Sequence, residues 1–308
     1  MLTETTSTTT THPQKQHRKT APAFAWFLVI LSYTLSAVAG WLTLSYLADY
    51  SLIVRFAAAD VVATVVIFVF SAVFNNSSFY DPYWSIIPVF IVLALLLFAQ
   101  PEVNTVRAGL TIFLVSFWGL RLTYNWARQW TGLDHEDWRY IDLRQSTGKA
   151  YWLVSFSGIH MFPTVLVFMG CLPLFYANIS SNTPLNIFDF LGFVITLGAI
   201  LIEAIADQQL RNFVLTRKSS EELLDKGLWA YARHPNYFGE VTFWVGIYFF
   251  GLACSFDLWW TGVGALSMIL LFVFISLPMI DKRMLARKPN YAEHMRKVSS
   301  IVPWFPKK

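Results

Sequence analysis

Long apolar runs, separated by shorter polar segments, follow one another along the chain from Phe24 onward. A helix needs about 20 predominantly apolar residues to cross the hydrocarbon core of a bilayer. By this measure the sequence predicts about eight spans, or seven if one of the two short runs, the third or the seventh, does not cross. The predicted spans are 24–48, 52–74, 84–99, 108–127, 152–176, 187–208, 238–254 and 258–280. The pattern therefore predicts an all-α, polytopic membrane helix bundle.

The composition supports a membrane protein and excludes several kinds of site. Of 308 residues, 56% are hydrophobic and 14% are charged, which is more apolar than a soluble domain. Cys171 and Cys254 lie inside apolar runs, and no histidine pair has metal-ligand spacing, so no metal site is predicted. Gly262-Val-Gly264 lacks the third glycine of a dinucleotide fingerprint, which excludes a Rossmann domain. A nucleotide would have to bind among the helices and their loops. Nothing indicates nucleic acid or an obligate protein partner.

The polar segments predict how the chain is divided and oriented. Residues 1–23 are rich in Thr, with two prolines and three cations, which is typical of a disordered tail. Residues 24–308 form a single predicted membrane domain. Except for Arg55, Arg107 and Arg121, all 23 Lys and Arg residues lie in the tail, in loops 128–149 and 209–237, or in the segment 281–308. By the positive-inside rule these segments and both termini are cytosolic.

The densest group of chemically active residues opens the seventh span, in Gly227-Leu-Trp-Ala-Tyr-Ala-Arg-His-Pro-Asn-Tyr-Phe-Gly-Glu240. Pro235 suits the first turn of a helix, which places Arg233 and His234 at its positive N-terminal end. Asn236 and Glu240 are spaced i,i+4, so that they share one face. The alternative is an interfacial belt of Arg and Tyr side chains at the lipid headgroups.

The sixth span carries a second polar stripe. Glu203, Asp207 and Arg211 recur every four residues on a helix otherwise made of apolar side chains. Ionisable residues inside a membrane indicate a functional site. The alternative is an internal ion pair between Asp207 and Arg211 that only fixes packing.

Two further groups come from earlier and later in the chain. Asp81 precedes the third span, where it could also act as a helix cap, and Arg121, Tyr124 and Arg128 share a face of the fourth span. The basic tail after the eighth span could bind either a phosphate-bearing ligand or anionic lipid headgroups.

These motifs together resemble the steroid 5-alpha-reductase superfamily, and in particular its poorly characterised multi-pass membrane branch. The resemblance is carried by the segment 227–240, by Glu203-Ala-Ile-Ala-Asp-Gln-Gln-Leu210 before it, by the segment 278–306 after it, and by Asp81-Pro-Tyr-Trp-Ser85 and Arg139-Tyr-Ile-Asp-Leu-Arg144. It covers roughly residues 50–306, and it implies NADPH as the cofactor. The residues expected to hold NADPH are Glu203, Asp207, Arg211, Tyr231, Arg233, His234, Asn236, Tyr237, Glu240, Arg283 and Tyr291.

The resemblance also implies a reaction and a location. A hydride from NADPH would reduce a carbon–carbon double bond conjugated to a carbonyl in a lipid or a sterol-like substrate, and the organelle would be the endoplasmic reticulum. An acid beside the carbonyl oxygen would stabilise the developing negative charge. In the animal steroid enzymes a Glu and a Tyr from early helices do this. Here no Glu is evident in the early spans, and the expected catalytic residues are Asp60 or Asp81 together with Tyr124.

Two other functions remain open at this point. The Arg-His-Pro-x-Tyr core also occurs in membrane lipid and isoprenylcysteine methyltransferases that use S-adenosylmethionine, although the paired glutamates that follow it there are absent here. A non-catalytic lipid-binding or sterol-binding protein is the third possibility. If NADPH binds, its 2′-phosphate should be selected over NADH by cations. The candidates are Arg211, Arg217, Lys218, Arg233, Lys282 and Arg283.

Overall fold

The computed structural model describes residues 21–307, and the predicted disordered tail lies almost wholly outside them. The described chain is nearly all helical and contains no β-sheet and no Rossmann domain, which confirms the predicted fold class. The α-helices are α1 (Pro22–Tyr46), α2 (Leu52–Val73), α3 (Tyr83–Leu95), α4 (Thr105–Ala127), α5 (Trp138–Thr147), α6 (Tyr151–Val154), α7 (Phe162–Ile179), α8 (Ile187–Thr216), α9 (Pro235–Cys254), α10 (Val263–Leu271), α11 (Leu277–Arg287) and α12 (Tyr291–Lys297).

Eight helical stretches of this part of the chain are long and apolar enough to cross a membrane, as the sequence predicted. Two of them contain a π-helical segment. The fifth joins α6 to α7 through a π-helical segment, Ser155–Met161, and the eighth joins α10 to α11 through another, Phe272–Ser276. The π-helical segments keep each stretch continuous across the membrane.

Several predicted boundaries were wrong. The first helix begins at Pro22, two residues before the predicted start, because proline is accepted at a first helical turn. The sixth span continues past Gln208 to Thr216, and the eighth continues to Arg287, so both helices extend beyond their apolar runs. The predicted loop 128–149 contains α5. The length of an apolar run indicates only the part of a helix that lies in the membrane. It does not indicate the polar turns by which the helix extends beyond the membrane.

The loops that connect the helices lie at two opposite ends of the bundle, and most of the Lys and Arg residues lie at one of these ends. We call the end formed by loops 128–137 and 217–234 and by the segment 288–307 the basic end. The other end carries the connections 47–51, 99–104 and 180–186. An even number of spans places the start of α1 and the segment 288–307 at the basic end.

Close packing of α8 against α9 positions the residues of the sixth and seventh spans. A Cβ atom added to Gly239 would lie 2.8 Å from the carbonyl oxygen of Ala199, and one added to Gly246 would lie 2.8 Å from the backbone nitrogen of Thr196. Small residues at such a contact allow two helix backbones to approach. The approach brings Glu203 directly against the first turns of α9.

Candidate functional site

A cluster of charged side chains lies where α4, α8 and α9 meet near the basic end. Arg121 of α4 forms ion pairs with Glu203 (2.6 Å) and Asp207 (2.9 Å) of α8. Asp207 also accepts hydrogen bonds from Asn125 (3.0 Å) and from Asn236 of α9 (3.3 Å). Three helices thus contribute to one polar site in an otherwise apolar bundle, and Asp207 pairs with Arg121 instead of Arg211.

Glu240 completes this cluster from one turn further along α9. Its two carboxyl oxygens accept hydrogen bonds from Trp118 (3.0 Å) and Trp244 (2.9 Å), and the carboxyl is buried. Trp118 itself stacks on Phe243, with ring centroids 4.4 Å apart. The indole groups of Trp118 and Trp244 therefore fix the position of the Glu240 carboxyl beside the cluster.

The cluster has unused hydrogen-bonding capacity. Three carboxyl groups, of Glu203, Asp207 and Glu240, surround the single guanidinium of Arg121. Oε2 of Glu203 lies 2.6 Å from a terminal nitrogen of Arg121, whereas the buried Nε of Arg121 has no hydrogen-bond partner among the described residues. A buried donor without a partner is costly, so Nε of Arg121 is a natural place for a ligand that supplies an acceptor.

A second group of predicted residues meets at Asp281, at the basic end. The Asp281 carboxylate accepts hydrogen bonds from Arg233 (2.8 Å), from His234 (3.2 Å) and from the Tyr291 hydroxyl. Burial and the bond to Asp281 raise the pKa of Tyr291 above its ordinary value. The sequence analysis listed these three residues among the candidates for holding the cofactor, but it did not single out Asp281, which joins them.

The chain after α12 fixes this second group to the loop before α9. The backbone nitrogens of Arg233 and His234 donate to the carbonyls of Ser299 (2.8 Å) and Ser300 (3.1 Å). Tyr231 accepts from the backbone nitrogen of Trp304 and packs on the Phe305 ring. Arg233, His234 and Tyr231 are therefore engaged in holding the C-terminal segment.

The other predicted cofactor residues lie around these two groups. The Tyr237 ring stacks on His234, with ring centroids 5.5 Å apart. Arg283 lies over the Trp138 ring of α5, 3.8 Å from its centroid, and contacts Asp142. Arg211 is half-buried, one turn beyond Asp207 on α8. The structure thus brings Glu203, Asp207, Asn236 and Glu240 together and separates them from Arg283.

A lateral cleft between α1, α2 and α3 contains the predicted acid Asp60. The cleft has a volume of about 130 Å³, and its walls are apolar apart from a few side chains. Asp60 is buried, with 4% of its surface exposed, and its Oδ1 accepts a hydrogen bond from Tyr83 (2.8 Å). Its Oδ2 has no hydrogen-bond partner among the described residues. Trp41 and Phe90 are about half exposed at the rim, so the cleft opens towards the lipid side.

The other two predicted catalytic residues lie elsewhere. Asp81 accepts a hydrogen bond from Tyr140 of α5 (2.7 Å), which ties α5 to the turn before α3. Tyr124 is 63% exposed and contacts the guanidinium of Arg128. The tyrosine that pairs with Asp60 is Tyr83, which the sequence analysis missed. Its position within Asp81-Pro-Tyr-Trp84 was the available signal.

The cleft and the charged cluster are connected through consecutive residues of α3. Tyr83 lines the cleft, whereas the Trp84 ring packs against Trp118, with centroids 6.0 Å apart. Trp118 in turn donates to Glu240 of the cluster. One turn of α3 therefore contacts both candidate sites.

Comparison with known proteins places this chain in a family. An uncharacterized protein of Schizosaccharomyces pombe is 26% identical over 253 residues, which cover 74% of this chain and 73% of the relative. No solved structure matches the chain. The family model described as protein of unknown function DUF1295 matches residues 67–298, which include α4, α8, α9 and both groups of charged residues. The chain belongs to the DUF1295 family.

Proposed function

We propose that this membrane protein is an NADPH-dependent reductase of a conjugated carbon–carbon double bond in a lipid or sterol-like substrate. The observation that carries the proposal is the pairing of two sites across α3: a charged cluster with an unpartnered buried donor, and a lipid-facing cleft with one buried carboxyl. The resemblance of the motifs to the steroid 5-alpha-reductase superfamily supports the same assignment.

The charged cluster fits the nicotinamide end of the cofactor. A primary carboxamide offers an oxygen acceptor for the unpartnered Nε of Arg121 and an NH₂ donor for the carboxylates of the cluster. Asn236 and Asp207 border the same place. Bound there, NADPH supplies a hydride. The residues of the chain orient its ring, and the apolar packing of Trp118 and Phe243 excludes water.

The cleft fits the reacting end of a lipid, with the remainder in the bilayer. Oδ2 of Asp60 is the atom from which a proton would be donated to the substrate carbonyl, while Tyr83 holds Oδ1 and fixes the orientation of the carboxyl. A donor at this oxygen would stabilise the negative charge that develops as the double bond is reduced. Asp60 with Tyr83 replaces the pair with Tyr124 that the sequence suggested.

Titration of the detergent-purified protein with NADPH, NADH and S-adenosylmethionine tests the cofactor assignment. Binding is read from quenching of the tryptophans that border the cluster. We expect saturable binding of NADPH that is lost in Asn236→Ala and retained in Asn290→Ala, an exposed asparagine at the start of α12. Consumption of NADPH with a panel of enone lipids then tests the reaction. Saturable binding of S-adenosylmethionine alone would instead assign a methyltransferase.

We further propose that the basic end faces the cytosol in the endoplasmic reticulum, because the Lys and Arg residues concentrate there. A glycosylation tag fused to the C-terminus should remain unmodified, and the same tag inserted at Asp49 should be modified. The reverse pattern would invert the orientation.

A further inference from the structure

A polar pocket of about 630 Å³ opens at the basic end, between the last turns of α8 and the loop 217–227. Its position on α8 separates it from the charged cluster. Gln209, Phe213 and Thr216 line the pocket along one face of the helix. Gln209 follows Asp207 by two residues, which is about 200° around a helix. The pocket therefore lies on the side of α8 away from Arg121.

Two cations and two carboxylates line this pocket, and a third cation lies beneath it. Arg217 and Lys226 line it directly, and Lys288, from the connection between α11 and α12, reaches the carbonyl of Glu222 beneath it. Lys288 is buried, with 7% of its surface exposed, and in the described part of the chain no carboxylate forms an ion pair with it. Burial and the neighbouring charge of Arg217 lower the pKa of Lys288. Two like charges held this close favour an anion between them.

The uncharged groups of the pocket also present donors. Oε1 of Gln209 accepts a hydrogen bond from the backbone nitrogen of Leu228 (3.0 Å), and this fixes which end of the amide is the oxygen. Its NH₂ group is left for other acceptors. The Glu222 carboxylate accepts from the backbone nitrogens of Lys218 and Ser219, so that one of the two acidic side chains is already satisfied, and Asp225 is the other.

We propose that the pocket formed by Gln209, Arg217, Lys226 and the loop 217–227 over Lys288 binds a phosphate-bearing ligand, at a site distinct from the proposed NADPH site. The sequence analysis had grouped Arg217 with the cations for the 2′-phosphate of NADPH. The structure instead places Arg217 in the wall of this second pocket. The phosphate belongs either to a soluble molecule or to an anionic lipid headgroup, since α8 leaves the membrane at this point.

The test measures stabilisation of the full-length protein in detergent by inorganic phosphate, against chloride at equal ionic strength. A ligand that binds the folded state raises the midpoint of thermal unfolding in a saturable way. We expect this rise in the unaltered protein and a reduction of at least tenfold in phosphate affinity in Arg217→Gln and in Lys288→Met. Arg296→Gln, which removes an exposed cation of the same end, is the matched control and should bind phosphate normally.

Two outcomes would overturn the proposal. One is a phosphate effect that does not saturate, or that Arg217→Gln leaves unchanged; this variant alters an exposed side chain and keeps the test valid if Lys288→Met fails to fold. The other is a loss of NADPH affinity in Arg217→Gln as large as the loss in phosphate affinity, since the pocket would then be part of the cofactor site. Failure of NADPH to bind at all, with phosphate binding intact, would contradict the proposed function and leave this site standing.

Nanodiscs of two lipid compositions distinguish a lipid headgroup from a soluble phosphate. If nanodiscs containing phosphatidic acid abolish the response to added inorganic phosphate, and nanodiscs of phosphatidylcholine alone do not, the ligand is a lipid headgroup. If phosphate still stabilises the protein in both, the ligand is a soluble phosphate.

Discussion

Two arginines of the same helix, α4, show how different environments give one residue type different roles. Arg107 is fully buried near the end opposite the basic end and forms a bidentate pair with Asp189 (2.7 and 2.8 Å). Its remaining N–H groups donate hydrogen bonds to oxygens of Ser181, Thr183, Pro184 and Ala253. Arg121 instead meets two carboxylates and retains an unpartnered Nε. A saturated, one-to-one pair fixes packing, whereas an unsaturated site can take a ligand.

The comparison predicts its largest effect at Arg107. Arg107→Met leaves the buried carboxylate of Asp189 without its partner, and breaking a buried pair in this way costs about 3–5 kcal/mol. Denaturation in mixed micelles should show this loss in the free energy of unfolding, with NADPH affinity unchanged in the fraction that folds. An Arg107→Met protein of normal stability and impaired NADPH binding would mean that the roles of the two arginines are reversed.

The next effect concerns the acid of the lipid cleft. Tyr83→Phe removes the hydroxyl that holds Oδ1 of Asp60 and should slow single-turnover reduction about 10²- to 10³-fold, with NADPH affinity unchanged. Tyr124→Phe is the matched control, because Tyr124 is exposed and contacts Arg128. If Tyr124→Phe slows reduction and Tyr83→Phe does not, the pair suggested by the sequence is the correct one.

A smaller effect is expected at Arg121 when its charge is kept. Arg121→Lys keeps the positive charge but loses the planar set of donors that includes Nε, and the two side chains are not equivalent at such a site. NADPH affinity should fall about ten- to hundredfold, the equivalent of one charge-assisted contact. Arg139→Lys, at a partly exposed pair with Asp137, should bind NADPH normally. Equal affinities in Arg121→Lys and the unaltered protein would remove the cluster from the cofactor site.

The sequence could predict the spans because six of the eight apolar runs are at least 20 residues long, and a helix is the only simple way to satisfy the backbone inside a bilayer. It could also predict that Glu203, Asp207, Asn236 and Glu240 belong together, because helical spacing places each pair on one face. It placed Arg121 only on a face of the fourth span with Tyr124 and Arg128. The contact of Arg121 with α8 depends on how α4 packs, and helical spacing within one segment carries no information about that.

The same limit explains the misplaced tyrosine. Tyr124 shares a face of α4 with Arg121 and Arg128 in the sequence, yet its side chain points away from the cluster in the bundle. Tyr83 meets Asp60 only because the turn Ser77–Tyr80 and α3 fold against α2, a contact between segments 23 residues apart. Pairs of residues that only tertiary packing brings together could therefore be identified only from the structure.

The smallest predicted effect concerns a partly exposed cation that lies outside the sites of Arg107 and Arg121. Arg283 was expected to hold NADPH, and the structure places it over Trp138 with a 3.4 Å contact to the exposed Asp142. An exposed ion pair and a stacked guanidinium each contribute about 0–1 kcal/mol, because water and salt screen them. Arg283→Gln should therefore change the free energy of unfolding by about 1 kcal/mol or less, as measured by denaturation in mixed micelles, and should leave NADPH affinity within a fewfold of normal. A tenfold loss of NADPH affinity, with NADH affinity unaffected, would show that Arg283 leaves Trp138 to contact the 2′-phosphate, and the cofactor site would then extend from the buried cluster to α5.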